Sequence, residues 1–186
     1  VSKLPPGSFQ ERDLLAKPVD RKFKVVYNLT GQGLEGGAVH FPGIVANGGT
    51  FSINGKSYTN RTEHCMVKGE VEEWTVLNAA NVADRWMHSF HIHQSWFQIV
   101  GQTVGEDGQL VVEDMQPGDW RDTVQVPVNG TVTLRLQMNF VGTLPFHCHV
   151  GAHQDIGMMQ LVQIVQDEKQ CPPGTLSPRE SPDVLV

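Results

Sequence analysis

Strict alternation of polar and apolar side chains over Thr131-Val-Thr-Leu-Arg-Leu-Gln places Val132, Leu134 and Leu136 on one face, the period of a half-buried β-strand. Short runs rich in Val, Ile, Phe, Thr and Trp predict further strands at Lys22–Leu29, Thr50–Ile53, Glu73–Leu77, Phe90–Val100, Gln109–Val112, Thr123–Val126 and Met158–Val165. Turn dipeptides punctuate them: Asn54-Gly55, Asp107-Gly108, Pro117-Gly118 and Asn129-Gly130. Asn54-Gly55 between Ile53 and Lys56 predicts a two-residue type I′ hairpin. No eleven-residue window carries a convincing amphipathic helix, so the pattern predicts an all-β antiparallel two-sheet sandwich. Residues 1–20, with Pro5-Pro6-Gly7 and no sustained period, read as a linker or surface arm. From Cys171 to Val186 four prolines exclude a ladder or a helix, which makes 171–186 an irregular tail. With no internal repeat and no second core, 21–170 is read as one domain.

Composition narrows the class. The 186 residues are 39% hydrophobic and 18% charged, which excludes a disordered or fibrous chain. A net charge of -6 with scattered Lys and Arg leaves no nucleic-acid footprint, and no apolar run is long enough to cross a bilayer. The chain begins with Val and shows no leader pattern, which reads as a processed or truncated polypeptide. Three sequons, at Asn28, Asn60 and Asn129, point to a glycoprotein and to a secreted, extracellular or periplasmic location. Three cysteines, Cys65, Cys148 and Cys171, are too few for a disulfide framework and lack CxxC spacing.

The chemistry lies in the histidines. Six of the eight fall into two clusters, His88-Ser-Phe-His91-Ile-His93 and His147-Cys148-His149-Val-Gly-Ala-His153. On a strand, His91 and His93 share one face, and His147 and His149 share a face from which Cys148 is turned away. Imidazole suits several transition metals, whereas one thiolate, two imidazoles and a weak axial thioether define a trigonal blue-copper site. Cys148, His153 five positions on, Met158 ten positions on and the remote His88 offer those four ligands. An HxH pair alone would equally suit zinc, but the C-x2-4-C spacing usual for zinc with Cys and His is absent. His40 and His64 lack HxH spacing and read as nonligands.

The strings His88-Ser-Phe-His-Ile-His93 and His147-Cys-His-Val-Gly-Ala-His-Gln-Asp-Ile-Gly-Met158 resemble the third and fourth copper motifs of the multicopper oxidases, the laccase family. Val71-Glu-Glu-Trp-Thr-Val76 and Trp120-Arg-Asp-Thr-Val-Gln-Val-Pro127 resemble the strands that flank them. The resemblance implies a C-terminal cupredoxin-like Greek-key β-sandwich. It implies type 1 copper on His88, Cys148 and His153 with axial Met158, type 2 copper on His91, and type 3 copper on His93, His147 and His149. Cys148, His147 and His149 would then carry electrons from the type 1 site toward dioxygen, which is reduced to water. Small aromatic or phenolic reductants are the implied donors, and a methionine axial ligand implies a low or medium potential. Some family members carry a proton-relaying carboxylate where this chain has Ala152; Asp84 and Asp155 are the nearby carboxylates.

A trinuclear centre of this family takes twice the four histidines that this chain supplies. The resemblance therefore implies a partner: an N-terminal cupredoxin domain of the same oxidase, another subunit, or a second copy in a homo-oligomer. The alternative is a type 1 electron-transfer cupredoxin without oxidase activity of its own. Cys148 is expected to be unpaired, while Cys65 and Cys171 pair with each other or with a missing domain.

Overall fold

The computed structural model describes residues 13–30, 38–41, 44–47, 50–79, 87–103 and 115–175. Six strands form one sheet in the order β4-β1-β6-β11-β8-β9. They are β1 (Arg21–Thr30), β4 (Thr50–Ile53), β6 (Val71–Asn78), β8 (Phe97–Thr103), β9 (Trp120–Arg121) and β11 (Thr131–Gln137). Five strands form the second sheet in the order β10-β7-β12-β13-β5. These are β5 (Thr62–Val67), β7 (His88–Ile92), β10 (Thr123–Val126), β12 (Gly142–Cys148) and β13 (Met159–Val165). A separate pair joins β2 (Ala38–Phe41) to β3 (Ile44–Asn47). This is a cupredoxin-like β-sandwich. It is not wholly antiparallel: β1 runs parallel to β6 and β13 parallel to β5, because non-consecutive strands meet across the Greek-key crossovers.

The two sheets bury facing apolar sides. Phe23, Val25 and Tyr27 from β1, Trp74 and Val76 from β6, and Val132, Leu134 and Leu136 from β11 meet Phe90, Ile92, Phe146, Val162 and Ile164 from the other sheet. Trp74 is fully buried, edge-on to Phe146 at 5.2 Å and to Phe90 at 6.0 Å. At ~1.5–3 kcal/mol for each large apolar side chain taken from water, this interior supplies the main driving force for the sandwich. Asn54 and Gly55 both have positive φ (52° and 73°), and Ile53 and Lys56 exchange two 3.0 Å backbone bonds, as a type I′ hairpin requires.

The single run predicted over Phe90–Val100 is two strands in different sheets. The chain leaves β7 after Ile92, turns through His93–Trp96 with Gln94 at φ 55°, and enters the opposite sheet as β8. Apolar Phe90 and Ile92 precede the break and Phe97, Ile99 and Val100 follow it, so the predicted run continues across it; the polar His93-Gln94-Ser95 step marks the turn. β12 carries Pro145 in mid-strand. That residue lacks an N–H, but its carbonyl accepts from His93 N–H at 3.2 Å. The strand predicted at Gln109–Val112 lies outside the described residues.

Local ties hold the ends of the described region. Leu14 is buried and its N–H donates to Gln98 Oε1 at 2.7 Å, while Arg135 Nη1 donates to the carbonyls of Leu14, Leu15 and Lys17. Cys65 in β5 is disulfide-bonded to Cys171, 106 residues away, and Cys148 is the free cysteine. Among the described residues no helix is long and apolar enough to cross a membrane.

Candidate metal centre

The five-stranded sheet separates two sets of donors. Along β7 the burial alternates: His88, Phe90 and Ile92 face the interior, and Ser89 and His91 face out. β12 pairs antiparallel with β7, placing Cys148 beside Phe90 and His147 beside His91. One donor set therefore gathers inside the sandwich and the other on its outer face.

Inside, His88 Nδ1 and His153 Nδ1 are 3.1 Å apart, and each is 3.6 Å from Cys148 Sγ. All three residues are buried. The point equidistant from the three atoms lies about 2.0 Å from each, the span of a metal–imidazole bond and a little under the ~2.3 Å of a metal–thiolate bond. His153 reaches this point because the one-turn helix α1 (Gly151–Asp155) folds the chain back after β12. Cys148 N–H donates to Met158 O and Met158 N–H to His153 O, both at 3.0 Å, closing the loop. Met158 is fully buried within the core cluster.

Burial sets the protonation of this group. His88 is pushed down to about 3 by desolvation, with His153 adding repulsion, and His153 is pushed down to about 4 by desolvation. Both imidazoles are thus neutral donors at ordinary pH. Burial pushes the Cys148 thiol up, against hydrogen bonds from the Ser89 and Val150 backbone. A metal cation held here would displace the thiol proton, so its binding would release a proton from Cys148.

On the outer face His93 Nε2 and His147 Nε2 are 3.0 Å apart, and the donor atoms of His91, His93 and His147 lie within 4.8 Å of one another. His149 joins them, its ring 4.9 Å from that of His91. His91 Nδ1 sits 2.9 Å from both the Asp122 carbonyl and Thr123 Oγ1, and His147 Nδ1 donates to the Cys148 carbonyl at 3.0 Å. Fixing Nδ1 leaves Nε2 of each ring as the outward donor. Burial lowers the pKa of His91 and His147, with neighbouring histidines adding to the shift. His93 and His149 are exposed, so this cluster opens to the outside.

His64 stands apart from both groups. Its Nε2 is 2.9 Å from Glu72 Oε2, which also accepts from Trp74 Nε1 at 2.7 Å, and its ring stacks on Phe23. Asp155 is exposed on the helix that carries His153. Asp84 and the His40 side chain lie outside the described residues. Spacing gave no hint of Asp122, in the bend between β9 and β10, of Thr123 on β10 or of Phe51 on β4, which touch the cluster histidines from elsewhere in the chain.

Two neutral imidazoles and a thiol converging at bond distance suit copper, and the outer imidazoles suit it equally. A family model described as multicopper oxidase matches residues 25–168, which includes every donor above. The chain belongs to the multicopper oxidase family. Among its relatives, a bilirubin oxidase of Albifimbria verrucaria is 32% identical over 116 residues, covering 60% of this chain and 19% of the relative. A multicopper oxidase of Staphylococcus aureus is 28% identical over 116 residues, covering 62% of this chain and 25% of that one. A solved multicopper oxidase of Campylobacter jejuni, described as a metallo-oxidase, superposes with a TM-score of 0.63 at 25% identity, covering 80% of this chain and 31% of that one. The chain thus spans about a quarter or less of the length of these two curated relatives.

Proposed function

We propose that this chain is the electron-accepting domain of a laccase-like oxidase, in which His88, Cys148, His153 and Met158 would hold type 1 copper. His91 serves type 2 copper, and His93, His147 and His149 serve the type 3 pair. When bound, copper supplies reversible one-electron chemistry. Cys148, His147 and His149 are the catalytic path: the sulfur lies at the inner donors, and its two covalent neighbours project into the outer ones. The observation that carries this reading is that one sheet presents both donor sets, joined through His147-Cys148-His149.

The protein's own residues hold and insulate. His88 and His153 remain unprotonated because they are buried, so they stay available as donors in mildly acidic solution. The Cys148 carbonyl, by accepting from His147 Nδ1, directs His147 Nε2 outward. Proton delivery at the outer cluster falls to water or to another group, since Ala152 carries no carboxylate.

The exposed His93 and His149 support a missing half: another cupredoxin domain, another subunit or a second copy of this chain completes the cluster. Dioxygen is the proposed acceptor and phenolic or other small aromatic compounds the proposed donors. The Cys65–Cys171 disulfide supports an extracellular or periplasmic location, and the exposed Asn60 is the sequon best placed for a glycan. Copper per chain, measured with native mass after copper loading, tests the assembly. About two and a half per chain in a symmetric dimer means a cluster built between copies. A ratio near one in a monomer, with oxygen consumption only after a partner domain is added, means a shared cluster. One copper and no oxygen consumption with any partner reduces the chain to an electron-transfer cupredoxin.

A further inference from the structure

Both imidazoles of the inner donor set are backed by aromatic rings from one strand pair. Phe51, on β4, is 1% exposed, and its ring stacks on His153 at 4.1 Å with an interplanar angle of 24°. The same ring meets His88 edge-on at 5.9 Å and 80°. Tyr27, on the neighbouring β1, lies 5.4 Å from the His88 ring. One phenyl group therefore touches both nitrogen donors.

Phe51 is itself held by the loop that it supports. Its carbonyl accepts from Ser57 Oγ at 3.3 Å. Gly157, at φ 120°, lies so close that a Cβ there would come 3.0 Å from that carbonyl and 2.9 Å from Ser57 Cβ. Gln160 Nε2, buried, donates to Ile53 O at 2.7 Å and ties β4 to β13. The strand carrying Phe51 and the segment carrying His153 and Met158 are thereby locked together.

An imidazole on a one-turn helix is free to rotate about its Cβ–Cγ bond unless something packs its face. A stacked, fully buried ring removes that freedom, and a site held by such packing keeps its geometry whatever the metal's own preference. We propose that Phe51 is a positioning residue of the inner copper site: by stacking on His153 it fixes the trigonal two-nitrogen, one-sulfur arrangement without touching the metal. This rests on the type 1 reading given above. The ring governs colour and copper retention, and side-chain volume governs stability.

The test uses the copper-loaded full chain with Phe51→Leu, which keeps an apolar side chain and removes the ring, and Phe51→Tyr, which keeps the ring. Visible absorption, copper hyperfine splitting, copper release to an excess of chelator and thermal midpoint are read on each. For Phe51→Leu the thiolate-to-copper band and the hyperfine splitting shift, and copper release is about tenfold faster. Phe51→Tyr keeps the wild-type spectrum even where its thermal midpoint falls. Should Phe51→Leu not fold, Phe51→Met provides the same ring-free comparison at closer volume. A wild-type spectrum and release rate in the ring-free variant, with only the thermal midpoint lowered, overturns the proposal and leaves Phe51 as core packing. A wild-type protein without an intense thiolate-to-copper band instead overturns the type 1 reading itself.

Discussion

The Nδ1 atoms of His88 and His153 face each other across 3.1 Å in the protein interior, and burial holds both imidazoles neutral. At most one of two facing nitrogens can carry a hydrogen in that space, and adding a second proton would put charge where no water can reach it. The arrangement favours a shared cation over protons.

A pH dependence follows for the metal-free protein. In the unfolded chain both histidines titrate near ~6.5. Folded, they titrate at about 3 and about 4. Above the unfolded value neither state binds these protons and stability is unaffected. As pH falls below it the unfolded chain takes up protons that the folded one refuses, so stability drops, first toward about 4 for His153 and on toward about 3 for His88. Urea unfolding of metal-free protein from neutral to mildly acidic pH is expected to show this loss, and copper loading to reduce it. A flat profile would place these imidazoles in water.

Met158→Leu nearly conserves volume in the core, so the fold is expected to survive. Loss of a weak thioether donor raises the potential of a trigonal copper–thiolate site. Redox titration of the copper-loaded variant checks this; an unchanged potential means that Met158 only fills space.

The Cys65–Cys171 bridge closes a separation of 106 residues. Chain-entropy arguments assign a loop of this length roughly 4–5 kcal/mol. Replacing both cysteines by serine is expected to lower the denaturation midpoint strongly while leaving the copper spectrum intact. A changed spectrum would show that the bridge also shapes the metal centre.

Glu72 accepts from Trp74 Nε1 and lies 2.9 Å from His64 Nε2 in a fully buried group. Glu72→Leu strands both partners, at roughly 1–3 kcal/mol for each buried polar group left unpaired. Chemical denaturation is expected to show a loss of about 3 kcal/mol with copper content unchanged. Loss of copper in this variant would contradict the separation of His64 from the metal centre.

The strands with clean alternation, such as Thr131–Gln137, were legible because one face is core and the other solvent. The division of donors between sheet faces was legible for the same reason, since His147 and Cys148 point opposite ways at any register. The break at His93–Trp96 was not, because buried apolar residues stand on both sides of it, Phe90 and Ile92 before and Phe97 and Ile99 after, and the polar step between them does not tell that the chain changes sheet. Nor were the contacts of Phe51 with His153 and of Thr123 with His91, which depend on which strands become neighbours. The pairing of Cys65 with Cys171 needed a distance, 5.8 Å between α-carbons, that no spacing supplies.

The most direct test of the central claim is the visible absorption of the copper-loaded protein beside its Cys148→Ser variant. An intense thiolate-to-copper band is expected in the first and its loss in the second, with circular dichroism showing the same β-sheet content in both. A band that persists in Cys148→Ser would contradict the assignment of Cys148 as the ligand and, with it, the electron path through His147 and His149.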